Sequence, residues 1–470
     1  MKRICIFILF LNPFVPANAQ DTVKYSLQQC IDIAIRNSST IASAEAQAGI
    51  GKARLNQAEA SLFPSVSGYA NQGINQGKSI NPYTNSYINQ EIITGQYGLN
   101  AGMTLFNGLS LINNLRQSSL NYKAGNMDAE QAKLDLTISV VLAYLQVLST
   151  AEQVKQATAQ LEASLKQTER LKTLESNQAI SPAVFYDTRG QLAGDKLTLI
   201  NLKAANYAAR TTLSQLMNVY LPEQITFEPA GSEADLKPYT QPRNEIRSQA
   251  LANMPLMKAA RYRQSAYRKG LYAARGQLFP TVSLVGSLGT NYSNAALTQQ
   301  ITGSSDVATS SYVVYNNNPL TVYTPQYQVD SRKIPFNTQF HNNLNSYVGL
   351  SLQFTLFNGL RGKTQLDIAH INKQLADRQL HAAENRMQST IDQVYNDMNA
   401  SYERYIVLQQ QAEDYAASYR IATSKFENGS ITTVEYITAK TNADKAHMNL
   451  IAARYDYILK QKILDYYNLK

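Results

Sequence analysis

Tryptophan is absent from this chain, and cysteine, histidine and charge are scarce: 2 Cys, 4 His and only 16% charged residues among 470. Each shortage excludes something. Cys5 lies in the first twenty residues, so Cys30 has no intrachain partner once those are removed, and a disulfide framework is excluded. Cys30 opens an apolar helix face and reads as a buried structural thiol. His341, His370, His381 and His447 show no H-E-x-x-H spacing, and none neighbours a cysteine, so no metal site and no cofactor are predicted. A Gly-rich phosphate loop and a Gly-x-Ser-x-Gly elbow are missing. Glu175, Asp187 and Glu435 lack the sugar groove that a carboxylate pair would serve. The chain is therefore expected to have no catalytic residue and not to be an enzyme. Beyond the leader, no run of 18 consecutive apolar residues occurs, so a helical membrane span is expected to be excluded. An apolar content of 44% excludes wholesale disorder.

The leader itself is informative. Lys2-Arg3 precede an apolar run from Ile4 to Phe14, broken only by Asn12 and Pro13, and Ala17-Asn18-Ala19 offers small residues before Gln20. That is the pattern of a secretory signal peptide over 1–19. Low charge with 30 Tyr suits long polar surfaces and an interface with lipid headgroups.

The remainder repeats itself. Leu62-Phe63-Pro64-Ser65-Val66-Ser67 recurs as Leu278-Phe279-Pro280-Thr281-Val282-Ser283, an offset of 216. Ala34 and Asn37 recur at that offset as Ala250 and Asn253. Thr104-Leu105-Phe106-Asn107-Gly108-Leu109 recurs as Thr355-Leu356-Phe357-Asn358-Gly359-Leu360, an offset of 251. The mature chain thus reads as two copies of one unit. Repeat 1 runs over 20–218, with a strand hairpin at about 65–106 and a helical hairpin at about 108–218. Repeat 2 runs over 246–470, with a strand hairpin at about 281–357 and a helical hairpin at about 360–467. A linker over 219–245 carries Pro222, Pro229, Pro238 and Pro242.

The strand pieces alternate with period two. Tyr97, Leu99, Ala101, Met103 and Leu105 interleave with Gly98, Asn100, Gly102 and Thr104, and Val348, Leu350, Leu352, Phe354 and Leu356 interleave with small polar residues. Val66 and Tyr69 fit only loosely. Strands of about ten residues with one apolar face suit a membrane barrel; a soluble sandwich would alternate in the same way. The helices break the tie. Lys363 to Asn428 contains no Gly or Pro over 66 residues, about 100 Å of helix at 1.5 Å per residue. Ile391, Val394, Met398, Tyr402, Tyr405, Leu408, Ala412, Tyr415 and Tyr419 step by three or four, at coiled-coil spacing. Asn428-Gly429 before Ser430-Ile431-Thr432 supplies a stop and a restart, and Ser176-Asn177 before Ser181-Pro182 does the same in repeat 1. Four strands cannot close a barrel, and open edges cannot sit in lipid. The barrel must then be shared among chains, four strands from each.

These duplicated Leu-Phe-Pro and Leu-Phe-Asn-Gly motifs, with Phe426-Glu427-Asn428-Gly429-Ser430-Ile431-Thr432 and Ala452-Ala453-Arg454-Tyr455-Asp456-Tyr457-Ile458-Leu459, resemble those of the TolC-like outer membrane efflux proteins, in order and spacing over most of the chain. The resemblance implies an α+β membrane protein: a homotrimer whose twelve-stranded β-barrel, four strands per chain, continues as a long α-helical coiled-coil barrel, with the linker in an equatorial belt. It implies a passive exit duct in the outer membrane, extending into the periplasm. Such a duct serves a tripartite efflux or type I secretion system, with a periplasmic adaptor protein and an inner-membrane RND or ABC transporter as partners. It places adaptor docking at the helical tips, here Asn177, Gln178 and Ala179, and Asn428, Gly429 and Ser430. It also implies a periplasmic gate of acidic residues just past the tips. Glu435 falls on one such position. Thr438 and Val184 stand where further acids are expected, Ile431 where a basic link is expected, and Gln178 where a glycine is expected. Asp187, with Arg189 nearby, sits one turn past Val184 and could substitute.

Two features stay open. From Ile246 to Ser305 there is no acid but seven bases. In an exported protein this reads as a solvated helix face near the membrane, meeting lipid phosphates, or as a basic lining for anionic cargo, and not as a nucleic-acid site. The segment 293–345, marked by Tyr312, Tyr315, Tyr323, Tyr327 and Asn316-Asn317-Asn318, reads as a long outward loop. The rival function is a trimeric coiled-coil adhesin or stalk. Two internal strand hairpins, each followed by a helix that returns, argue against it, and 66-residue helices argue against a simple porin.

Overall fold

A computed structural model describes residues 24–80, 85–89, 91–222, 224–229 and 236–468. The leader over 1–19 and part of the linker lie outside these residues. In chain order the elements are β1 (Lys24–Tyr25), α1 (Leu27–Asn37), α2 (Ser39–Ala60), β2 (Ser65–Asn75), β3 (Lys78–Ile80), β4 (Tyr87–Asn89), β5 (Ile92–Phe106), α3 (Ser110–Ser176) and α4 (Pro182–Met217). Then come β6 (Thr226–Phe227), α5 (Arg243–Asn253), α6 (Pro255–Gly276), β7 (Thr281–Ser293), β8 (Leu297–Tyr315), β9 (Asn318–Lys333), α7 (Phe336–Asn342), β10 (Asn345–Gln353), α8 (Arg361–Glu427) and α9 (Thr433–Tyr467). Contacts divide the chain into two units, and each draws on both repeats. One holds the chain up to Lys52 with Leu120–Gln264 and Leu375–Lys470; the other holds Ala53–Ser119 and Ser265–Gln374.

The first unit is helical and has two cores. In one, Cys30 and Ala34 of α1 pack with Val140, Tyr144 and Val147 of α3 and with Leu213 and Met217 of α4. In the other, Ile246 and Ala250 of α5 and Met257 of α6 pack with Ile391 and Met398 of α8 and with Tyr457 and Leu464 of α9. Ala34 and Ala250, equivalent in the two repeats, are both fully buried. Burial also pushes the Cys30 thiol up to about 11, as suits a structural cysteine. Helix α3 holds a stretch apolar enough to cross a membrane by composition, but half of that stretch is buried inside the protein, including the residues of the first core. Local rules start the short helices. Ser26 Oγ accepts from Gln29 N at 3.2 Å while Gln29 Oε1 accepts from Ser26 N at 2.9 Å, a capping box. The linker is pinned by buried tyrosines. Tyr144 Oη lies 3.0 Å from Tyr25 O and 2.8 Å from Glu228 O, where β1 and β6 pair in parallel. Tyr457 Oη donates to Lys237 O at 2.6 Å.

The second unit holds an antiparallel sheet in the order β10-β7-β5-β2. Leu99 pairs with Leu288, Met103 with Leu284, Leu350 with Leu284 and Leu352 with Val282. Paired residues share a face, so one face is apolar. Leu99, Leu284, Leu288, Val348, Leu350 and Leu352 on it are exposed. The other face carries Gly98, Asn100, Gly102, Ser283, Ser287, Gly349 and Ser351. Tyr69 pairs with Gly98 on this second face, which is why it broke the alternation. Its ring lies over that glycine, where a Cβ would come within 2.8 Å of Tyr69 Cζ.

Three expectations need revision. Alternation carried the fourth strand to Leu356, but β10 stops at Gln353, because its partner β7 begins at the paired Thr281 and no further ladder bonds exist. Leu105 sits at an irregularity in the β5–β7 pairing, between Thr104 and Phe106, so it does not simply continue the apolar face. The long loop over 293–345 is an ordered excursion. Strands β8 and β9 form a hairpin from Leu297↔Lys333 to Tyr315↔Asn318. Its turn places Asn316 and Asn317 at φ 49° and 67°, the left-handed backbone of a two-residue hairpin turn. Helix α7 then packs on the sheet, with the Phe336 ring edge-on to Tyr97 at 5.9 Å and buried Gln339 bonded to Ser293 N and O.

Candidate functional site

Both helical hairpins reverse direction by the same backbone device. At the α3–α4 tip, Gln178 N donates to Glu175 O and Ala179 N to Leu174 O, both at 2.9 Å. At the α8–α9 tip, Gly429 N donates to Phe426 O at 3.1 Å and Ser430 N to Lys425 O at 2.8 Å. These are paired Schellman bonds, which need a left-handed residue at the turn. Gly429 takes φ 70° and Gln178 takes φ 59°. Repeat 1 therefore makes the turn with a glutamine and carries the strain that glycine would avoid. The helices restart on Ser181, which accepts from Ala183 N ahead of Pro182, and on Thr432.

The two tips of one chain meet. A groove of about 420 Å³ is lined by Leu171, Leu174, Ile180, Val184, Phe426 and Ile431, with Gly429, Thr432 and Thr433 beside them. Val184 and Ile431 are the positions where an acid and a base were expected. Both are apolar here and line one groove, so the tip is packed hydrophobically where charge was anticipated. Arg170 Nη1 and Glu427 Oε1, at 3.0 Å, close an ion pair on its rim. Phe426 stacks on Tyr436 at 4.6 Å and 14°, and Tyr436 Oη lies 3.4 Å from Tyr419 Oη.

Glu435 is exposed and belongs to a capping box. Its Oε2 accepts from Thr432 N at 2.8 Å and from Thr432 Oγ1 at 3.0 Å, while Thr432 Oγ1 accepts from Glu435 N at 3.3 Å. The bond from the Thr432 backbone, then that from its hydroxyl, holds the carboxyl below the ordinary glutamate value. Asp187 is exposed. Asn177 and Asn428 lie at the turns, both exposed.

One cluster escaped the sequence reading. Lys440 of α9 lies within the first unit with its Nζ 2.8 Å from Asp195 Oδ2 of α4 and 2.6 Å from Asp444 Oδ2. Its side chain is only 3% exposed, those of Asp195 and Asp444 11% and 21%. Asp195 also accepts from Ser164 Oγ of α3 and from Gln191 Nε2. Burial pulls the ammonium down, but the bonds to Asp195 and Asp444 outweigh it and Lys440 stays above the ordinary lysine value. Burial pushes the Asp444 carboxyl up against the pull of Lys440. The i, i+4 spacing of Lys440 and Asp444 was visible, but Asp195 is 245 residues away. Among the described residues no group of three or more His, Cys, Asp or Glu is placed to hold a metal ion.

Comparison with known proteins gives this geometry a family. Residues 30–219 and 246–465 match the model for the outer membrane efflux protein family. The chain is 23% identical over 387 residues to the outer membrane protein TolC of Escherichia coli (strain K12), covering 81% of this chain and 71% of that protein. Among solved structures, CusC superposes with a TM-score of 0.76 at 15% identity, over 95% of this chain and 92% of that one. The outer membrane protein VceC of Vibrio cholerae gives 0.73 at 15% identity, over 94% and 96%. The chain belongs to the outer membrane efflux protein family, a channel and not an enzyme, seated in the outer membrane and extending into the periplasm.

Proposed function

We propose that three copies of this chain form an exit duct for a tripartite efflux or type I secretion system. The observation that carries the reading is the sheet: four strands, one exposed apolar face and, among the described residues, two unpaired edges, β2 and β10. Lipid cannot satisfy those edges, but the same edges of neighbouring copies can. Three copies give a twelve-stranded barrel, and the long helical hairpins of all three line the passage below it. An inner-membrane transporter, of RND or ABC type, supplies energy and cargo. The adaptor docks at the tips, with Asn177, Gln178, Asn428 and Gly429 at the turns. The apolar groove between the tips supports this, since it offers a helical partner a place for an apolar anchor.

The passage must narrow near the tips to prevent leakage. Three Glu435 carboxylates around one axis, with Asp187 further in, would bind cations and bias conduction toward them. Their mutual repulsion would work against the capping-box pull on Glu435. Single-channel recording in planar bilayers tests the duct and the gate together. Wild type should conduct with cation preference, and Glu435→Gln and Asp187→Asn should lower that preference and weaken block by divalent cations. Unchanged selectivity in both variants would put the constriction elsewhere, and no conduction at all would defeat the duct reading.

A further inference from the structure

The charge of the second unit is sorted by position. The helical ends that flank its sheet, residues 53–62, 107–119, 265–278 and 358–374, carry eight Lys and Arg against two acids, Glu59 and Asp367. The strands and their loops, residues 63–106 and 279–357, carry three of each. Arg275 at the end of α6 and Arg361 and Lys363 at the start of α8 are exposed. Among the described residues none of the three takes part in an ion pair. Their helix ends abut: a Cβ at Gly362 would lie 2.7 Å from Leu278 Cδ2. On the sheet side of the same junctions stands an apolar girdle, with Phe279, Leu356 and Phe357 exposed at 59%, 89% and 80%.

We propose that this junction is a binding collar for the phosphates of anionic phospholipids in the periplasmic leaflet, with Arg275, Arg361 and Lys363 at its centre. The proposal rests on the reading that the sheet closes in lipid. Spacing supports it. Arg275 lies four residues before Phe279 and Arg361 four after Phe357; α6 ends at Gly276 and α8 begins at Arg361, so each base is joined to its exposed apolar neighbour by a short turn, at most about 14 Å even if fully extended. The headgroup layer is roughly 5–8 Å deep on each side of the hydrocarbon. Long basic side chains beside exposed apolar ones can place stems on the acyl boundary and charges at the phosphates. Tyr272, exposed on α6 with the Lys269 ammonium 5.6 Å from its ring centre, adds an interfacial aromatic. The charge-balanced loop end offers no such preference on the opposite side. Each base near an anionic surface changes partitioning about fivefold.

Native mass spectrometry of the purified assembly, incubated with phosphatidylglycerol or phosphatidylcholine, tests it. Wild type should retain phosphatidylglycerol in preference. The triple variant Arg275→Gln, Arg361→Gln, Lys363→Gln should lose that preference by tenfold or more, while Arg332→Gln with Lys333→Gln at the loop end should keep it. Inorganic phosphate at matching concentration should not displace the lipid. Equal retention of both lipids by wild type, a triple variant that keeps the preference, or displacement by inorganic phosphate would each overturn the collar. Conductance in pure phosphatidylcholine bilayers separates the two readings. Channels without lipid preference defeat the collar alone, whereas no channels in any membrane defeat the barrel and the collar with it.

Discussion

Replacing Lys440 with Met removes one cation from a buried cluster and leaves Asp195 and Asp444 facing each other without it. The three side chains are 3%, 11% and 21% exposed, so solvent screens them weakly. Breaking a buried pair by removing one partner costs about 3–5 kcal/mol. Unfolding entropy is about 2.1 cal/mol/K per residue, or roughly 1 kcal/mol/K for a chain of this size, so the melting temperature should fall by about 3–5 °C. The loss should depend on pH with a definite sign. In wild type the raised Lys440 value means its stabilisation is complete below the ordinary lysine range and is lost only as pH rises through the folded value. In Lys440→Met the Asp444 carboxyl, already pushed up by burial, rises further. A carboxyl whose folded value exceeds its unfolded one stabilises as pH falls, so the deficit should be largest near pH 8 and shrink toward pH 5. Circular dichroism melts of the detergent-solubilised protein at both pH values read this directly. Adding Asp195→Asn and Asp444→Asn to Lys440→Met should recover most of the loss, since no buried charge then lacks a partner. A deficit under about 1 kcal/mol, or one that does not change with pH, would refute the reasoning.

Gly429→Val should distort the second tip, since φ 70° excludes a β-branched residue, and drug resistance and adaptor crosslinking should fall; Gln178→Gly should slow hydrogen exchange at the first tip by relieving about 1 kcal/mol of strain. Leu352→Arg places a charge on the exposed apolar face and should cost roughly 2–4 kcal/mol at the membrane midplane, read as a loss of assembled protein in outer-membrane fractions. Tyr144→Phe removes the hydroxyl that bonds the Tyr25 and Glu228 carbonyls and should destabilise by about 1–3 kcal/mol, seen as faster exchange around β1 and β6.

Local chemistry made much of this protein legible. The turn at Asn428-Gly429, the Thr432-to-Glu435 restart and the Gly- and Pro-free run from Lys363 to Asn428 are each set by neighbours within a turn of chain, so the sequence displays them. The alternation in β5 and β10 was visible because one apolar face repeats every second residue. What stayed hidden depends on partners. Where β10 ends is decided by where β7 begins. Tyr69 could be assigned a face only once its ring was seen over Gly98. Strands β8 and β9 alternate weakly because most of their length is exposed on both faces, and their one strong signal was the Asn316-Asn317 turn. The groove that joins Val184 to Ile431 and the cluster that joins Lys440 to Asp195 unite distant residues, which no periodicity reports.

In the proposed duct, four strands with two open edges close only by joining other copies of the chain. Native mass spectrometry of the mature protein extracted from membranes in mild detergent tests it most directly. A species of three times the single-chain mass is expected, with no disulfide between copies. A stable single chain that keeps its full strand content, measured by circular dichroism on the same sample, would contradict it.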